Sequence, residues 1–395
     1  MINNTEKKEG YFLSQVHQPF FTLGVVNAIV MMLIFALNHK GVLHIHLDEE
    51  LFHVYSLIFI VFTNIFTGFL FTTFPRYCGE EPVDKSYYLQ VFYINLAGSL
   101  FLIIGLFTSF YIVLASMIVI AFGHYKIVQK LKELFTKSEA ANLEDPFWIL
   151  RAFKFGLYGN ILMIISTFVH PIEHFAVTYS FYMFLIFLTF SVGQRMIPFF
   201  SHSMEEKDER FVSAVFILFF IKTLVVTFHT YEYVKMAEIL LDVVLGMYLL
   251  GEFLSWKMLD KNTHAIIWVL HLGLFWLPIA FFIDALTLTA EIILDTDFVY
   301  LGIHLLAIGF LTTILIGFGT RVTYGHSGQA PQANGFVKSL FIFIQVVVLT
   351  RFLYSLNIGF AWEKNFLFDL SFSMWLLLFV LWSIKFLPIL IRGKK

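Results

Sequence analysis

The feature that most constrains this chain is a series of twelve apolar stretches. Each is close to the length of about 20 residues that a helix needs to cross a bilayer. Of the 395 residues, 59% are hydrophobic and only 14% are Asp, Glu, Lys or Arg. A soluble fold could not bury that much apolar surface. The sequence therefore predicts an all-α polytopic membrane protein, formed as a single transmembrane domain over residues 1–395. The predicted spans lie near residues 20–38, 51–74, 88–107, 110–128, 149–169, 174–194, 211–230, 234–254, 265–285, 298–318, 336–356 and 366–390.

The distribution of Lys and Arg predicts the orientation, because cytoplasmic loops of membrane proteins are enriched in positive charge. With the N-terminus in the cytoplasm, the segments on that side hold eighteen Lys and Arg residues, and the opposite loops hold three, Lys40, Lys235 and Lys364. Residues 1–18 and 391–395 are then short cytoplasmic termini. The side of the termini is called the inner side, and the opposite side the outer side.

Charge and cysteine content exclude several classes of protein. A formal net charge of −2 is not that of a general nucleic-acid binder, so no nucleic acid is expected as a partner. The single cysteine, Cys78, excludes an intrachain disulfide and an iron–sulfur site. The C-x-x-C-H pattern of covalently attached haem is absent as well. Imidazoles are therefore the ligands expected for any haem.

Two histidines near the outer ends of their spans are the first candidates for a haem site. His53 and His304 lie a few residues inside the second and tenth spans, at comparable depth. Imidazole is a common ligand of haem iron, so the pair could clamp an iron from opposite sides if the two helices are neighbours. The alternative is that each ring lies among lipid headgroups or bonds a backbone carbonyl.

Three further histidines suggest a copper site on the same side. His170 and His174 flank the tight turn between the fifth and sixth spans, and His229 ends the seventh. Three imidazoles at one depth suit copper. A scatter of interfacial histidines explains the trio equally well.

Charged residues within the spans are expected to pair, because an unpaired charge in a bilayer is costly. Lys222 in the seventh span and Asp242 in the eighth lie at matched depth, which predicts an ion pair that also involves a glutamate one turn from Asp242. The pair is interpreted as structural, with a proton relay as the alternative. Arg351 in the eleventh span is expected to pair with Asp284 or Asp369.

A weak internal repeat relates the second, sixth and tenth spans. Each has a histidine toward its outer end and an arginine at its inner end, so the period is four spans. This suggests three four-helix units, an arrangement that resembles the catalytic subunit of heme–copper oxidases. The histidines are His53, His174 and His304, and the arginines are Arg76, Arg195 and Arg321.

Local motifs resemble those of the NnrS family, haem- and copper-containing bacterial inner-membrane proteins tied to the nitric oxide response. The resemblance covers the chain from about His17 to Gly328. The motifs are His17-Gln18-Pro19-Phe20-Phe21, Gly68-Phe69-Leu70-Phe71-Thr72, Gln194-Arg195-Met196-Ile197-Pro198-Phe199-Phe200, His304-Leu305-Leu306-Ala307-Ile308-Gly309 and Thr320-Arg321-Val322-Thr323-Tyr324-Gly325-His326-Ser327-Gly328.

The resemblance implies haem b, copper, nitric oxide as a small gaseous ligand, and a multi-pass location in the bacterial inner membrane. One motif departs from the family. The second span of relatives opens with tryptophan–histidine–x–histidine–glutamate, whereas this chain has Phe52-His53-Val54-Tyr55-Ser56. Either the second histidine is not an essential ligand, or this member has an altered metal site. The positions carried over are His53, His304, His17, Arg195, Arg321 and His326.

The inner-side positions carried over form an alternative site. His17, Arg195, Arg321 and His326 lie at one membrane face. Arginines could hold haem propionates or another anion through forked hydrogen bonds, with His17 and His326 as axial ligands. The competing interpretation is a cluster that anchors to membrane lipid headgroups.

Two classes of function follow. In the first, a haem protein, with or without copper, binds or processes nitric oxide or protects metal centres, and any electrons come from a membrane quinol or another protein. In the second, a secondary transporter uses the buried Lys222 and Asp242 as its coupling site.

The charge asymmetry makes a direct prediction about topology. We expect a fluorescent reporter fused after the last residue to be active and an alkaline phosphatase fused there to be inactive, because both termini face the cytoplasm. A phosphatase placed after Lys364, in a predicted outer loop, is the matched control and should be active. A C-terminal fusion active only as the phosphatase would refute the orientation.

Overall fold

A computed structural model describes residues 10–203, 205, 208–228, 231–258 and 263–393. In these residues the chain forms twelve long helices and no strand. The helices are α1 (His17–His39), α2 (Glu49–Tyr77), α3 (Lys85–Thr108), α4 (Phe110–Lys137), α5 (Glu144–Ser166), α6 (His170–Phe200), α7 (Phe211–Thr227), α8 (Glu232–Ser255), α9 (Ala265–Leu294), α10 (Leu301–His326), α11 (Gly335–Gly359) and α12 (Phe366–Arg392).

Ten of these helices are long and apolar enough to cross a membrane, which confirms the predicted fold class. The other two are α7, an apolar helix of 17 residues, and α8, which has 24 residues and carries several charged side chains. Twelve spans and their grouping into three four-helix units stay predictions.

Capping residues fix where several helices begin. The side chain of Asp48 accepts a hydrogen bond from the backbone N–H of Leu51, and Glu49 and Glu50 follow in the first turn of α2. Both features stabilise a helix N-terminus, where backbone N–H groups are unpaired and the helix dipole is positive. Ser109 alone separates α3 from α4, in extended backbone, and caps α4. The third and fourth spans, which nearly abut in the sequence, are therefore joined by a tight turn.

Three helices form the centre of the bundle. In the most apolar stretch of each helix, 89% of the residues of α2 and 83% of those of α6 and of α10 are buried. In the other seven helices that are long and apolar enough to cross a membrane, the share is 39–61%. Helices at the periphery present large exposed apolar side chains such as Leu240, Leu286 and Ile384. Exposed apolar surface of this kind is stable where lipid surrounds it. The three central helices are the three that the sequence repeat singled out.

Each central helix contains one π-helical segment. The segments span Ser56–Phe62 in α2, Ser180–Ile186 in α6 and Leu305–Thr312 in α10, and the segment of α6 contacts the other two. Threonine hydroxyls donate to carbonyls five residues earlier, with Thr63 2.7 Å from Ile58 O and Thr312 2.8 Å from Ala307 O. Such segments are rare and often mark functional regions. The repeat therefore has a counterpart in backbone geometry.

The only cysteine lies outside the helices and is buried. Cys78 follows the end of α2, and burial raises the pKa of its thiol from 9.0 to about 11, with the nearby Glu80 carboxylate acting in the same direction. The reactive form of a thiol is the thiolate. At neutral pH the side chain is therefore an inert thiol.

We expect iodoacetamide to alkylate Cys78 at pH 7.5 about a hundredfold more slowly than a free thiol, because a pKa of about 11 instead of 9.0 lowers the thiolate fraction by that factor. The rate should rise steeply as the pH approaches 11. Detergent-denatured protein is the control and should react at the ordinary rate. Fast alkylation of the folded protein at pH 7.5 would contradict this assignment.

Candidate functional site

The structure brings the two outer histidines together. His53 of α2 and His304 of α10 have ring centroids 6.4 Å apart, and the ring planes differ by 23°. Phe35 of α1 packs against the His53 ring with centroids 4.2 Å apart. The adjacent Tyr55, which replaces the second histidine of the family motif, is turned away and bonds Asn160 at 3.1 Å. The predicted proximity of His53 and His304 is present in the fold.

Two contacts meet at Nδ1 of His304. This nitrogen lies 2.8 Å from the carbonyl oxygen of Tyr300, one helical turn earlier, and 3.0 Å from Nη2 of Arg351. The carbonyl accepts only from a protonated Nδ1, whereas the guanidinium donates only to an unprotonated one, so the two bonds belong to opposite tautomers. In the tautomer that bonds the carbonyl, Nε2 is unprotonated, which is the arrangement of a metal-ligating histidine.

The prediction for Arg351 is wrong. Asp284 instead contacts the ammonium of Lys222 at 3.0 Å, and Asp369 contacts that of Lys40 at 2.6 Å. Arg351 points toward His304, with Nη2 3.0 Å from its Nδ1. The error has a geometric cause, because hydropathy gives the depth of a residue but not the face of the helix on which it lies.

Arg351 stabilises a strained backbone next to His304. Its Nη2 donates to the carbonyl of Val299 at 3.2 Å, and the hydroxyl of Ser355 donates to the same carbonyl at 3.2 Å. Val299 and Tyr300 adopt φ angles of 37° and 53°. Positive φ is unusual for a non-glycine residue and most unfavourable for a β-branched one. Strain of this kind concentrates at functional sites.

A third contact fastens the start of α10 to α2. The Tyr300 hydroxyl donates to Oε1 of Glu50 at 2.7 Å. Burial and this hydrogen bond to the Glu50 carboxylate raise the pKa of Tyr300 well above its usual range, so the phenol stays protonated and keeps donating. Glu50 lies three residues before His53, and Tyr300 lies four before His304. The bond therefore holds the two histidine-bearing turns together.

The three histidines of the predicted copper site have different surroundings. The His170 side chain is 81% exposed and lies 3.7 Å from the Glu173 carboxylate. His174 Nε2 lies 2.9 Å from the carbonyl oxygen of Val226. His229 lies outside the described residues. The copper site stays a prediction.

Three of the four predicted inner-side residues line one cavity. A cavity of about 720 Å³ lies at the inner ends of α2, α6 and α10 and is bordered by Arg195, Arg321 and His326, as well as by Arg76. We call it the inner cavity. His17 is buried, and its ring centroid lies 4.6 Å from that of His326. The predicted grouping of these residues is present, with Arg76 as an additional member.

The arginines of the inner cavity differ in how their charges are balanced. Arg195 forms an ion pair with Asp145, which also accepts a hydrogen bond from Gln194 at 2.6 Å. The guanidinium of Arg321 lies 3.9 Å from the centre of the Phe200 ring, a cation–π contact. No ion pair of Arg76 or Arg321 with a carboxylate is found among the described residues.

The predicted buried ion pair is present and larger than expected. Lys222 is fully buried, with its ammonium 2.7 Å from Asp242, 2.8 Å from Glu238 and 3.0 Å from Asp284. Asp284 comes from α9, and its carboxylate lies so close to Gly302 of α10 that a Cβ there would be 2.1 Å from Oδ1. The buried cluster therefore touches the turn that carries His304.

Sequence reasoning missed four residues of these sites. Tyr300, Ser355 and Asp145 carried no signal, because a tyrosine at a span end, a serine in a helix and an acid in a helical first turn are all common in membrane proteins. Asp284 was considered only as one of two candidate partners of Arg351. A count of the charged residues within the spans could have suggested that Asp284 joins this cluster. Among the described residues, Lys222 is the only buried ammonium in contact with three carboxylates.

Comparison with known proteins identifies a family. A family model described as NnrS protein matches residues 11–394, nearly the whole chain. No curated protein matches the sequence.

The buried cluster predicts an asymmetric response to mutation. We expect Lys222→Met to destabilise the protein by roughly 3–5 kcal/mol, because it leaves three carboxylates without their shared cation in a dry site. The double variant Lys222→Met/Asp242→Asn should be milder, since one of those charges is gone. Thermal melting in detergent measures both. Equal melting temperatures for the two variants would show that Lys222 and Asp242 are not coupled.

Proposed function

The chain belongs to the NnrS family, and from that premise we propose that it is an inner-membrane protein of the nitric oxide response that holds haem b between His53 and His304. The observation that carries the proposal is the geometry of these two rings, whose centroids are 6.4 Å apart, with Nδ1 of His304 2.8 Å from the Tyr300 carbonyl oxygen. Membership in the family supports a place in the nitric oxide response, and the apolar helices support a membrane location.

The distance between the rings is compatible with two imidazoles that would hold one metal ion. A metal–nitrogen bond is about 2 Å long and the ring centre lies about 1 Å behind the nitrogen, so the centroids of two such ligands would be about 6 Å apart. The tautomer of His304 that bonds the Tyr300 carbonyl would supply the second requirement, a free Nε2. This donor set would suit haem iron.

Arg351 gives this site a second property. It is buried, and the described residues provide it with hydroxyl, carbonyl and imidazole partners but no carboxylate. A buried guanidinium without a counter-ion favours an anionic ligand. We assign Arg351 the role of holding a propionate of the porphyrin. When bound, haem iron would supply a coordination position for nitric oxide where one of the two imidazoles dissociates.

The chain's own residues determine what can be done at this site. His53 and His304 would hold the iron, the Tyr300–Glu50 bond keeps their helices in register, and Phe35 covers one ring. This arrangement supports binding or processing of nitric oxide, or protection of metal centres. Reductive turnover would draw electrons from a membrane quinol or another protein.

Copper is the second cofactor of this proposal, at His170, His174 and His229. Its support is the shared depth of the three residues in the sequence and the closeness of His170 and His174 at the start of α6. Metal analysis of the purified protein tests it. Copper at one per chain that is lost in His174→Ala would support the assignment, and a copper-free protein would refute it.

A secondary transporter is the alternative function, and the buried cluster around Lys222 is the observation that favours it. Three carboxylates with ligand atoms within 4.8 Å of one another resemble an ion-coupling site. An absorption spectrum separates the two functions. A haem band that shifts when nitric oxide is added supports the first, whereas a colourless, metal-free protein supports the transporter.

Replacement of either outer histidine should remove the cofactor. We expect His53→Ala and His304→Ala, each expressed in full-length form, to lower the haem content per chain by about tenfold or more, because each removes an axial donor. Pyridine haemochrome analysis measures the content. His264→Ala, an exposed histidine at the inner side, is the matched control and should keep its haem. Full haem content in both outer variants, with loss in His17→Ala or His326→Ala, would move the site to the inner cavity.

A further inference from the structure

The inner cavity is not used by the haem site proposed for the outer side. It lies where α2, α6 and α10 end at the inner membrane interface, between apolar walls that include Phe69, Phe199 and Phe318. Its volume of about 720 Å³ lies within the range of sites that bury a small organic ligand, about 300–1,000 Å³. Aromatic walls together with three arginines are complementary to a ligand that has an apolar body and acidic groups.

The unpaired arginines of the cavity indicate how many negative charges the ligand carries. Arg195 is neutralised by Asp145, which lies against it. Arg76 and Arg321 make no ion pair with a carboxylate within the described ranges, and the guanidinium of Arg321 lies over the Phe200 ring. Two uncompensated guanidinium groups in one cavity match two negative charges. Arginine binds phosphate and carboxylate through paired N–H donors.

His326, which borders the cavity, and the neighbouring His17 fit a porphyrin poorly as a pair of iron ligands. Ligands on opposite sides of one iron need centroids about 6 Å apart, whereas those of His17 and His326 are 4.6 Å apart and tilted by 44°. The two rings contact each other and leave no room for an iron between them. The cavity is therefore suited to an anion rather than to a metal clamped by this pair.

We propose that the inner cavity is a binding site for the headgroup of a membrane phospholipid that carries two phosphates, as cardiolipin does. Basic pockets between transmembrane helices on the cytoplasmic side bind such headgroups. Arg76 and Arg321 bind the phosphates, and the aromatic wall at Phe199, whose side chain is 70% exposed at the rim, contacts the start of an acyl chain. The bound lipid links the inner ends of the three central helices.

The test uses native mass spectrometry of the full-length protein, released from detergent and titrated with cardiolipin or phosphatidylcholine. We expect cardiolipin to bind at one per chain, and Arg76→Gln/Arg321→Gln to weaken binding by about tenfold for each arginine removed. The matched control is Lys132→Gln/Arg151→Gln, which removes two exposed positive charges from α4 and α5 near the same side. This control should bind cardiolipin like the unchanged protein.

A second variant keeps the charge and fills the space. Gly325 borders the cavity, and a Cβ placed there would meet no atom within 4 Å, so Gly325→Trp adds bulk at the cavity without a clash at Cβ. We expect it to exclude cardiolipin as strongly as the double arginine variant. Melting temperatures of all variants exclude a loss of binding caused by unfolding. Undiminished cardiolipin binding in folded Gly325→Trp would overturn the proposal.

Three other results would overturn the lipid-binding proposal, and each can be told apart from a failure of the haem assignment. Equal loss in the lysine–arginine control would show a general effect of surface charge. Displacement of cardiolipin by an equal concentration of inorganic phosphate would identify a free anion as the ligand. Loss of haem in Arg76→Gln/Arg321→Gln would identify porphyrin propionates. Unchanged haem content with lost cardiolipin is the result we expect.

Discussion

The requirement that every backbone N–H and C=O be paired within the bilayer governs this fold. Lipid offers no hydrogen bonds, so a spanning segment must be helical or enclosed by protein. The chain departs from α-helical pairing within its central helices, in the π-helical segments of α2, α6 and α10. These are the most buried helices, so the irregular backbone is shielded from lipid. Threonine hydroxyls bond carbonyls that the wider turns would otherwise leave weakly paired.

The outer site depends on those central helices because two of them carry its histidines. His304 ends the α-helical turn from which the π segment of α10 begins, and His53 lies three residues before that of α2. Just before His304, the backbone passes through two positive φ angles, at a cost of about 1–3 kcal/mol each. The bonds from Arg351, Ser355 and Tyr300 offset this cost. Strain and hydrogen bonds together fix the position of the His304 ring.

Much of this arrangement was predictable from the sequence, and the limit has a physical basis. Hydropathy determines span positions and depths, so the helices, the Lys222–Asp242 pair on consecutive helices and the shared depth of His53 and His304 were predictable. That α2 and α10 bring these two histidines together was left open and comes from the structure. The partner of Arg351 was not predictable, because α11 meets α10 through a helix face that depth does not specify. The contact of Asp284 with Lys222 was not predictable for the same reason, because depth does not specify the helix face on which Asp284 lies.

The buried cluster and the outer site meet at the start of α10. Lys222 supplies one positive charge against three carboxylates, so the fully ionised cluster would carry a net charge of −2 in an apolar interior. Asp284 lies against Gly302, two residues before His304. Arg351 contacts that histidine and carries a charge that the described carboxylates do not balance. The three carboxylates of the cluster contact Lys222, and none of their described ion pairs is with Arg351. The guanidinium therefore stays available for an anionic ligand, without a carboxylate that would compete for it.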